Sequence, residues 1–138
     1  MTYATFLAGL QLRHFTPSEI ISYADRERGG VYNSLPPEDL WSNIVPTLWV
    51  LDQLRHYLDT PITLSSIYRS PAYNRAVGGA SQSEHMRNAA IDLQVKNVEP
   101  KIVFDRLSAM RAAGTFAGGL GLYDTFVHVD TRGRNATW

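Results

Sequence analysis

Two short segments carry side chains that can bind a metal ion. In the first, His85 follows a Gly/Ser-rich loop, and Asp92 lies seven residues later between Ile91 and Leu93. An aspartate inside an apolar strand is costly to bury unless a cation, a helix N-terminus or a metal ion compensates its charge. This segment therefore predicts a buried carboxylate with a specific partner.

The second segment runs from Phe126 to Asp130 and contains His128. Residues two apart in a strand project from the same face. His128, Asp130 and Phe126 should therefore share one face, while Val127 and Val129 point to the other. A histidine and a carboxylate that project together from a buried strand indicate a functional site.

Together the two segments supply two imidazoles and one carboxylate. Catalytic zinc is typically held by three nitrogen or oxygen ligands, with a fourth position for water, and it lowers the pKa of that water to about 7. A separate carboxylate can then accept a proton while the water attacks a carbonyl. From these residues alone, a structural role and a metal site are equally well supported.

The composition limits the alternatives. The chain has 138 residues, 44% apolar and 19% charged, which fits one globular domain, residues 1–138. The absence of cysteine excludes disulfides, thiolate metal sites and a cysteine nucleophile. A formal net charge of zero argues against sequence-independent electrostatic binding to nucleic acid. We expect a monomer.

The N-terminal segment and the apolar runs bear on whether the protein is exported or membrane-bound. No apolar stretch approaches the roughly 18 residues of a membrane span. The N-terminal segment, residues 1–15, lacks a basic start and a small-residue cleavage site, so we interpret it as mature protein and not as a signal peptide. The sequence leaves the location of the protein open.

The N-terminal half is predicted to be helical. Thr16 and Glu19 form a capping-box pattern, which predicts a helix that runs to about Arg28 and ends at Gly29-Gly30. A longer helical stretch opens at residues 36–39. Its apolar face, together with Trp41 and Trp49, is predicted to lie in the core; the residues of that face are Leu40, Ile44, Leu48, Leu51, Leu54 and Leu58. Pro46 either kinks this helix or splits it.

The C-terminal half is predicted to contain the strands. Residues 61–67, 89–95, 120–123 and 126–129 read as strands, the last two around a turn at Asp124-Thr125. Residues 72–76 suggest one helical turn, and residues 99–113 predict an amphipathic helix that ends at Gly114. The inward residues of this helix are expected to be Ile102, Val103, Leu107 and Met110. The fold class is therefore α+β, a small antiparallel sheet flanked by helices.

Three segments carry a family resemblance. They are Tyr68–Gly79, with its Tyr-Arg-x-Pro turn; Ser83–Asp92; and Gly119–Trp138, which includes Phe-Val-His-Val-Asp. Together they resemble the zinc D-alanyl-D-alanine carboxypeptidase family of cell-wall peptidases, and they are most similar to its short, phage-associated branch. The resemblance implies the fold shared by these DD-peptidases and the signalling domain of hedgehog proteins.

The resemblance also implies roles for individual residues. The family motif places zinc ligands on His85, Asp92 and His128, so Zn²⁺ is the implied cofactor. The arginine of the Tyr-Arg-x-Pro turn falls on Arg69, which is implied to bind the substrate carbonyl or the developing oxyanion. Electrostatic stabilisation of this kind is usually the largest catalytic contribution.

The chain departs from the family pattern at two positions. Asn88 replaces the motif glycine, and asparagine tolerates a positive φ better than most residues. Thr125 stands where several family members have a glutamate base. The remaining candidates for the base are Asp130, Asp124 and Glu84; we choose Asp130 because it shares a face with the strand histidine.

Several roles stay open. Arg69 either takes part in catalysis or neutralises Asp92 or Asp130 in a buried ion pair. Arg132 either pairs with Asp130 or meets a substrate carboxylate. Asp130 itself could instead orient one of the ligand histidines. Ser83, Tyr123 and Arg132 are further candidates for substrate binding, although loop-ordering and packing roles are favoured for Ser83 and Tyr123. His14 and His56 are expected to have surface or packing roles.

The sequence therefore predicts a zinc-dependent peptidase that hydrolyses stem or cross-bridge peptides of peptidoglycan. These activities include those of D,D-carboxypeptidases, endopeptidases and phage endolysins. The alternative is a non-catalytic zinc module that binds the cell wall or a protein, including a structural accessory of a phage.

Overall fold

Five α-helices and seven β-strands form the chain in a computed structural model that describes residues 1–138. The helices are α1 (Tyr3–Ala8), α2 (Pro17–Ile21), α3 (Val45–Leu58), α4 (Pro71–Ala76) and α5 (Pro100–Ala112). The strands are β1 (Glu27–Arg28), β2 (Val31–Tyr32), β3 (Ile62–Ser66), β4 (Ala90–Val95), β5 (Gly119–Leu122), β6 (Val127–Asp130) and β7 (Ala136–Thr137). Two 3₁₀ helices cover Ser22–Asp25 and Glu38–Ile44.

The larger sheet orders its strands β3-β4-β6-β5-β7. One row of paired residues crosses four of these strands. Ser66 on β3 pairs with Asp92 on β4, Asp92 pairs with His128 on β6, and His128 pairs with Gly121 on β5. This register brings Asp92 and His128, which are 36 positions apart in the chain, to adjacent places on one face.

The predicted α+β class is confirmed, and each predicted strand is present with small shifts at its ends. The sheet is mixed, however, because β7 pairs with β5 in parallel. The sequence did not predict β7, since a strand of two residues has no recognisable alternation. β7 matters for the site because it brings Trp138 alongside β5.

Apolar side chains on the other face of the sheet join the helices in a single core cluster of 23 buried residues. From α3, Leu48, Leu51 and Leu54 are fully buried. Each such leucine contributes about 1.5–3 kcal/mol through burial. Helix α5 packs against β4, β5 and β6, so the helices support the sheet from behind the candidate site.

The helix predicted from residue 16 to about Arg28 is wrong beyond its start. The capping box of Thr16 and Glu19 is present, but α2 ends at Ile21 and passes into a 3₁₀ turn. Gly29 and Gly30 both have positive φ and form the turn of a β1–β2 hairpin. Two consecutive residues with positive φ are typical of a tight hairpin turn, which the sequence pattern did not distinguish from a helix stop.

Pro46 splits the second helical stretch. Residues Glu38–Ile44 are 3₁₀, and α3 begins at Val45 with Pro46 in its first turn. Proline is favoured there because its missing N–H would have no helical partner. The core face predicted for this stretch is buried at Ile44, Leu48, Leu51 and Leu54.

Two predicted core residues are in fact exposed. Trp49 on α3 is 57% exposed and Ile102 on α5 is 55% exposed. Both lie at the margin of an apolar stripe, where periodicity alone does not separate a buried position from an exposed one. Trp41, by contrast, packs against the core beside Tyr3 and Phe6. None of the helices has both the length and the apolar character needed to cross a membrane.

Candidate metal centre and cleft

His85, Asp92 and His128 converge on one buried point. Oδ1 of Asp92 lies 3.2 Å from Nε2 of His85 and 3.0 Å from Nδ1 of His128. One ligand atom from each residue lies within 4.8 Å of the others. All three side chains are buried, so the sequence-predicted trio is brought together in space.

The remaining nitrogen of each ring is engaged by an acceptor. Nδ1 of His85 lies 2.6 Å from the carbonyl oxygen of Ile67, and Nε2 of His128 lies 2.7 Å from Oδ2 of Asp130. A carbonyl and an ionised carboxylate can only accept, so these two ring nitrogens donate. In the neutral rings, the lone pairs of the other two nitrogens then face Asp92, an arrangement typical of histidines that bind a metal.

The electrostatics of the trio favour a cation. Burial alone raises the pKa of Asp92, but when the two rings are protonated, hydrogen bonds from His128 and His85 and their charges outweigh burial and hold that pKa below its ordinary value. Burial lowers the pKa of His128, yet hydrogen bonds to Asp130 and Asp92 outweigh it and raise that pKa. Three acceptors converging on one point need a positive centre, and these residues therefore fit a metal ion.

Local backbone features place the trio. The register between β3 and β4 shifts between Leu64 and Ser66, an irregularity that places Ser66 beside Asp92. The segment from Ser83 to Asn88 is a run of tight turns that ends with Asn88 at a φ of 58°. Asn88 therefore adopts the positive φ expected of the motif glycine that it replaces.

Arg69 lies at the edge of the trio. Its Nη2 is 3.5 Å from Oδ2 of Asp92, Nε donates to Oγ of Ser66 at 3.1 Å, and Nη1 donates to Oδ1 of Asn74 at 3.2 Å. The guanidinium is therefore fixed in orientation while part of it faces the cleft. The long contact with Asp92 agrees with a weak ion pair and leaves the group available to a ligand.

Asp130 is fully buried and its oxygens are occupied. Oδ1 accepts from the N–H of Gly119 and from the backbone and Nε of Arg132, at 2.9–3.2 Å. Oδ2 accepts from His128 and from Nη2 of Arg132, the latter at 2.8 Å. Burial raises the pKa of Asp130, but the bonds from His128, Arg132 and Gly119 outweigh it and lower that pKa.

The trio opens into a cleft of about 520 Å³. Seven of the candidate residues proposed from sequence line it, whereas Asp130 does not; the seven are Arg69, Ser83, His85, Asp92, Tyr123, His128 and Arg132. Oγ of Ser83 accepts from the N–H of His85 at 3.2 Å, which orders the loop. Glu84 also lines the cleft, whereas Asp124 is exposed and lies outside it.

Two motif residues for which the sequence suggested no role contribute to this site. Asn74 is buried and joins Arg69 to the carbonyl oxygen of Ala80 in the glycine loop. Trp138 was part of the motif without a role; its ring lies 5.0 Å from that of His128, measured between centroids. The importance of Asn74 is indicated by Gly79. A Cβ at residue 79 would lie 2.0 Å from Oδ1 of Asn74, so only glycine leaves room for this side chain.

The geometry agrees with the comparison to known proteins. A family model described as Peptidase M15 matches residues 13–130. This chain belongs to the Peptidase M15 family. It is also 45% identical over 53 residues to the zinc D-Ala-D-Ala carboxypeptidase of Streptomyces albus G. That match covers 38% of this chain and 21% of the relative, so the chain spans about a fifth of the relative's length.

Membership of Peptidase M15 confirms the predicted zinc-peptidase family. The donor set, the family and the zinc carboxypeptidase relative together indicate Zn²⁺ as the cofactor. The placement of this M15 peptidase in a phage-associated branch stays a prediction, as do the individual roles of its cleft residues.

Proposed function

We propose that this M15 peptidase hydrolyses peptide bonds in the stem or cross-bridge peptides of peptidoglycan. The observation that carries the proposal is the convergence of His85, Asp92 and His128 at the base of an open cleft. The substrate class is supported by the 45% identity to a D-Ala-D-Ala carboxypeptidase. Neither a carboxypeptidase nor an endopeptidase is favoured by the open cleft.

In this proposal, His85 and His128 hold Zn²⁺ through the ring nitrogens that face Asp92, and Asp92 is the third ligand. When bound, zinc polarises a carbonyl and lowers the pKa of a coordinated water to about 7. Arg69 binds the carbonyl oxygen of the scissile bond and stabilises the negative charge that develops there. Its bonds to Ser66 and Asn74 keep it oriented before substrate arrives.

For Asp130 we propose a positioning role in place of the proton-acceptor role expected from sequence. Each of its oxygens already accepts at least two hydrogen bonds, and the side chain has no exposed surface. Besides Asp92, Glu84 is the one carboxylate that lines the cleft. We therefore propose Glu84 as the proton acceptor. Its Oε1 lies 3.0 Å from Nη1 of Arg87.

The metal site and the activity are tested together. Purified protein should contain one equivalent of zinc and release peptides or D-alanine from purified peptidoglycan, and a chelator should stop the release. His85→Ala should lose both zinc and turnover, because one of three ligands is removed. His56→Ala is the matched control, since His56 is exposed and outside the cleft. Stoichiometric zinc in His85→Ala would contradict the proposed metal site.

Glu84→Gln tests the proton acceptor separately. A general base typically contributes about 10²–10⁴-fold in rate, so kcat should fall in that range while zinc content is unchanged. Asp124→Asn, an exposed carboxylate outside the cleft, should behave like the wild type. Full activity in Glu84→Gln would remove Glu84 from the mechanism.

A non-catalytic zinc module is the second candidate. It is favoured by Thr125, which stands at the glutamate position of several family members, and by the occupied oxygens of Asp130. Zinc binding without turnover on peptidoglycan, combined with binding to it, would support this candidate over the peptidase.

A further inference from the structure

Trp138 forms one wall of the cleft. Its backbone N–H donates to the carbonyl oxygen of Leu120 at 3.0 Å, and its own carbonyl oxygen accepts from Leu122 at 2.9 Å. These bonds extend the β5–β7 pairing and place the indole beside His128, with ring centroids 5.0 Å apart. Trp138 is 47% exposed and lines the cleft, so its indole lies between His128 and the open cleft.

A glycine makes room for the indole. Gly121 pairs with His128 across β5 and β6, and a Cβ at Gly121 would lie 2.5 Å from Nε1 of Trp138. A real Cβ does not approach another heavy atom so closely, so any larger residue would displace the indole. The indole of Trp138 is therefore held against Gly121 of β5, and its backbone is held by the hydrogen bonds to β5.

The indole makes one side-chain hydrogen bond, to Tyr123. Nε1 of Trp138 lies 2.7 Å from Oη of Tyr123. An indole N–H can only donate, so the phenol oxygen accepts and its own proton is free. Tyr123 is stacked on Phe126, with centroids 4.3 Å apart and planes 6° apart, which fixes the direction of the phenol.

The phenol of Tyr123 lies where a bound ligand could accept its proton. Tyr123 is 41% exposed and lines the same cleft as His128 and Arg69. No acceptor on another side chain takes the Tyr123 proton, and the carbonyl and carboxylate oxygens of a peptide are acceptors. The arrangement has the form of a donor that is oriented in advance for an oxygen of a bound ligand.

We propose that Trp138 is a positioning residue that holds Tyr123 as a hydrogen-bond donor to a carbonyl or carboxylate oxygen of the bound peptide. This inference rests on the proposed peptidase function and adds a specific peptide-recognition pair to it. The ligand is an oxygen acceptor of the peptide, and its two possible sources, a backbone carbonyl and a terminal carboxylate, are separated by the substrates used below.

The test compares Tyr123→Phe, Trp138→Phe and the double variant in the zinc-loaded protein. Binding of a phosphinate analogue of D-Ala-D-Ala is measured by calorimetry, and kcat/KM is measured on an acyl-D-Ala-D-Ala peptide. Each single change should weaken binding and lower kcat/KM about tenfold, the usual effect of one lost hydrogen bond at a site. The double variant should lose no more than either single one, because both act through one bond.

Two controls separate positioning from a purely structural role. Zinc affinity, measured by chelator competition, should stay within about threefold of the wild type in all three variants, since no ligand is removed. Trp49→Phe, at an exposed tryptophan outside the cleft, should match the wild type. Additive losses, or a Trp138→Phe variant whose only effect is weaker zinc binding, would overturn the proposal.

A second substrate identifies which peptide oxygen accepts the hydrogen bond from Tyr123. If Tyr123 binds a terminal carboxylate, the tenfold effect of Tyr123→Phe should vanish on the decarboxylated analogue, acyl-D-Ala ethylamide, which has no terminal oxygen; if it binds a backbone carbonyl, the effect should persist. A wild type that neither binds nor hydrolyses would contradict both the peptidase function and this inference. A competent wild type matched by all variants would contradict the Trp138 role alone.

Discussion

Oδ2 of Asp130 lies 2.7 Å from Nε2 of His128. Because the ionised carboxylate accepts, the ring proton resides on Nε2 and the lone pair of Nδ1 is directed at Asp92, 3.0 Å away. The carboxylate thus selects the tautomer that can bind a metal. Its other bonds, to Arg132 and Gly119, hold it rigidly in that orientation.

Asp130→Asn should weaken zinc binding about 10–100-fold, the usual cost of losing a partner that orients a ligand histidine. With saturating zinc, most of the activity should return. Zinc affinity is measured by competition with a chelator, and activity is titrated against free zinc. Asp124→Asn serves as the control. Lost activity with unchanged zinc affinity would instead restore Asp130 as the proton acceptor.

Arg69→Lys should lower kcat about 10²-fold, because lysine keeps the charge but loses the planar fork that contacts Ser66 and Asn74. Asn74→Ala should have a smaller effect in the same direction, since it frees Nη1 of Arg69 without removing the cation. Steady-state kinetics on a defined peptide separate kcat from KM. Arg75→Lys, an exposed arginine on α4, should be neutral. Equal kcat in wild type and Arg69→Lys would exclude Arg69 from the mechanism.

Gly79→Ala should impair the same arginine indirectly. A Cβ at this position would lie 2.0 Å from Oδ1 of Asn74 and 2.9 Å from Nη1 of Arg69, so the Arg69–Asn74 contact must open. We expect kcat to fall while zinc affinity is retained, measured by kinetics and chelator competition. Gly9→Ala is the control, because its Cβ would meet nothing closer than 3.4 Å. Wild-type kinetics in Gly79→Ala would show that the loop can adjust without cost.

The stability of the metal-free protein should fall as the pH rises through neutrality. The pKa of His128 is raised above 6.5, chiefly through its bonds to Asp130 and Asp92 acting against burial. A raised pKa gives stability that is present below the ordinary value and is lost as the pH rises through the folded one. Zinc replaces the proton, so the zinc-loaded protein should not show this loss.

Thermal unfolding of the two forms across this pH range measures the effect, and the gap between their melting temperatures should widen with rising pH. His128→Gln should flatten the profile of the metal-free form. At acid pH the stability changes with pH in the opposite direction. The lowered pKa of Asp92 gives stability that is lost as the pH falls below about 3.8. A metal-free form with a pH-independent melting temperature near neutrality would contradict the prediction.

Much of the fold was predictable because its signals are local. The strands around Asp92 and His128 follow from β-branched and apolar runs, and the capping box at Thr16 from side chains three residues apart. The predictions failed where one pattern fits two structures. Gly29-Gly30 serves either a helix end or a hairpin turn, and Trp49 lies at the edge of an apolar stripe. The pairing of β1 with β2 decided the first case, and the packing of α3 against the core decided the second.

The sequence by itself determined the family, the α+β class and the chemical identity of the three candidate ligands, because residue type and motif spacing carry that information. Only the tertiary structure favours a positioning role for Asp130 over a role as the base. Sharing a face with His128 allows either a base or a hydrogen-bond partner, and the choice depends on burial and on donors from Gly119 and Arg132. The same holds for the proposed roles of Asn74 and Trp138, which rest on contacts across strands and loops.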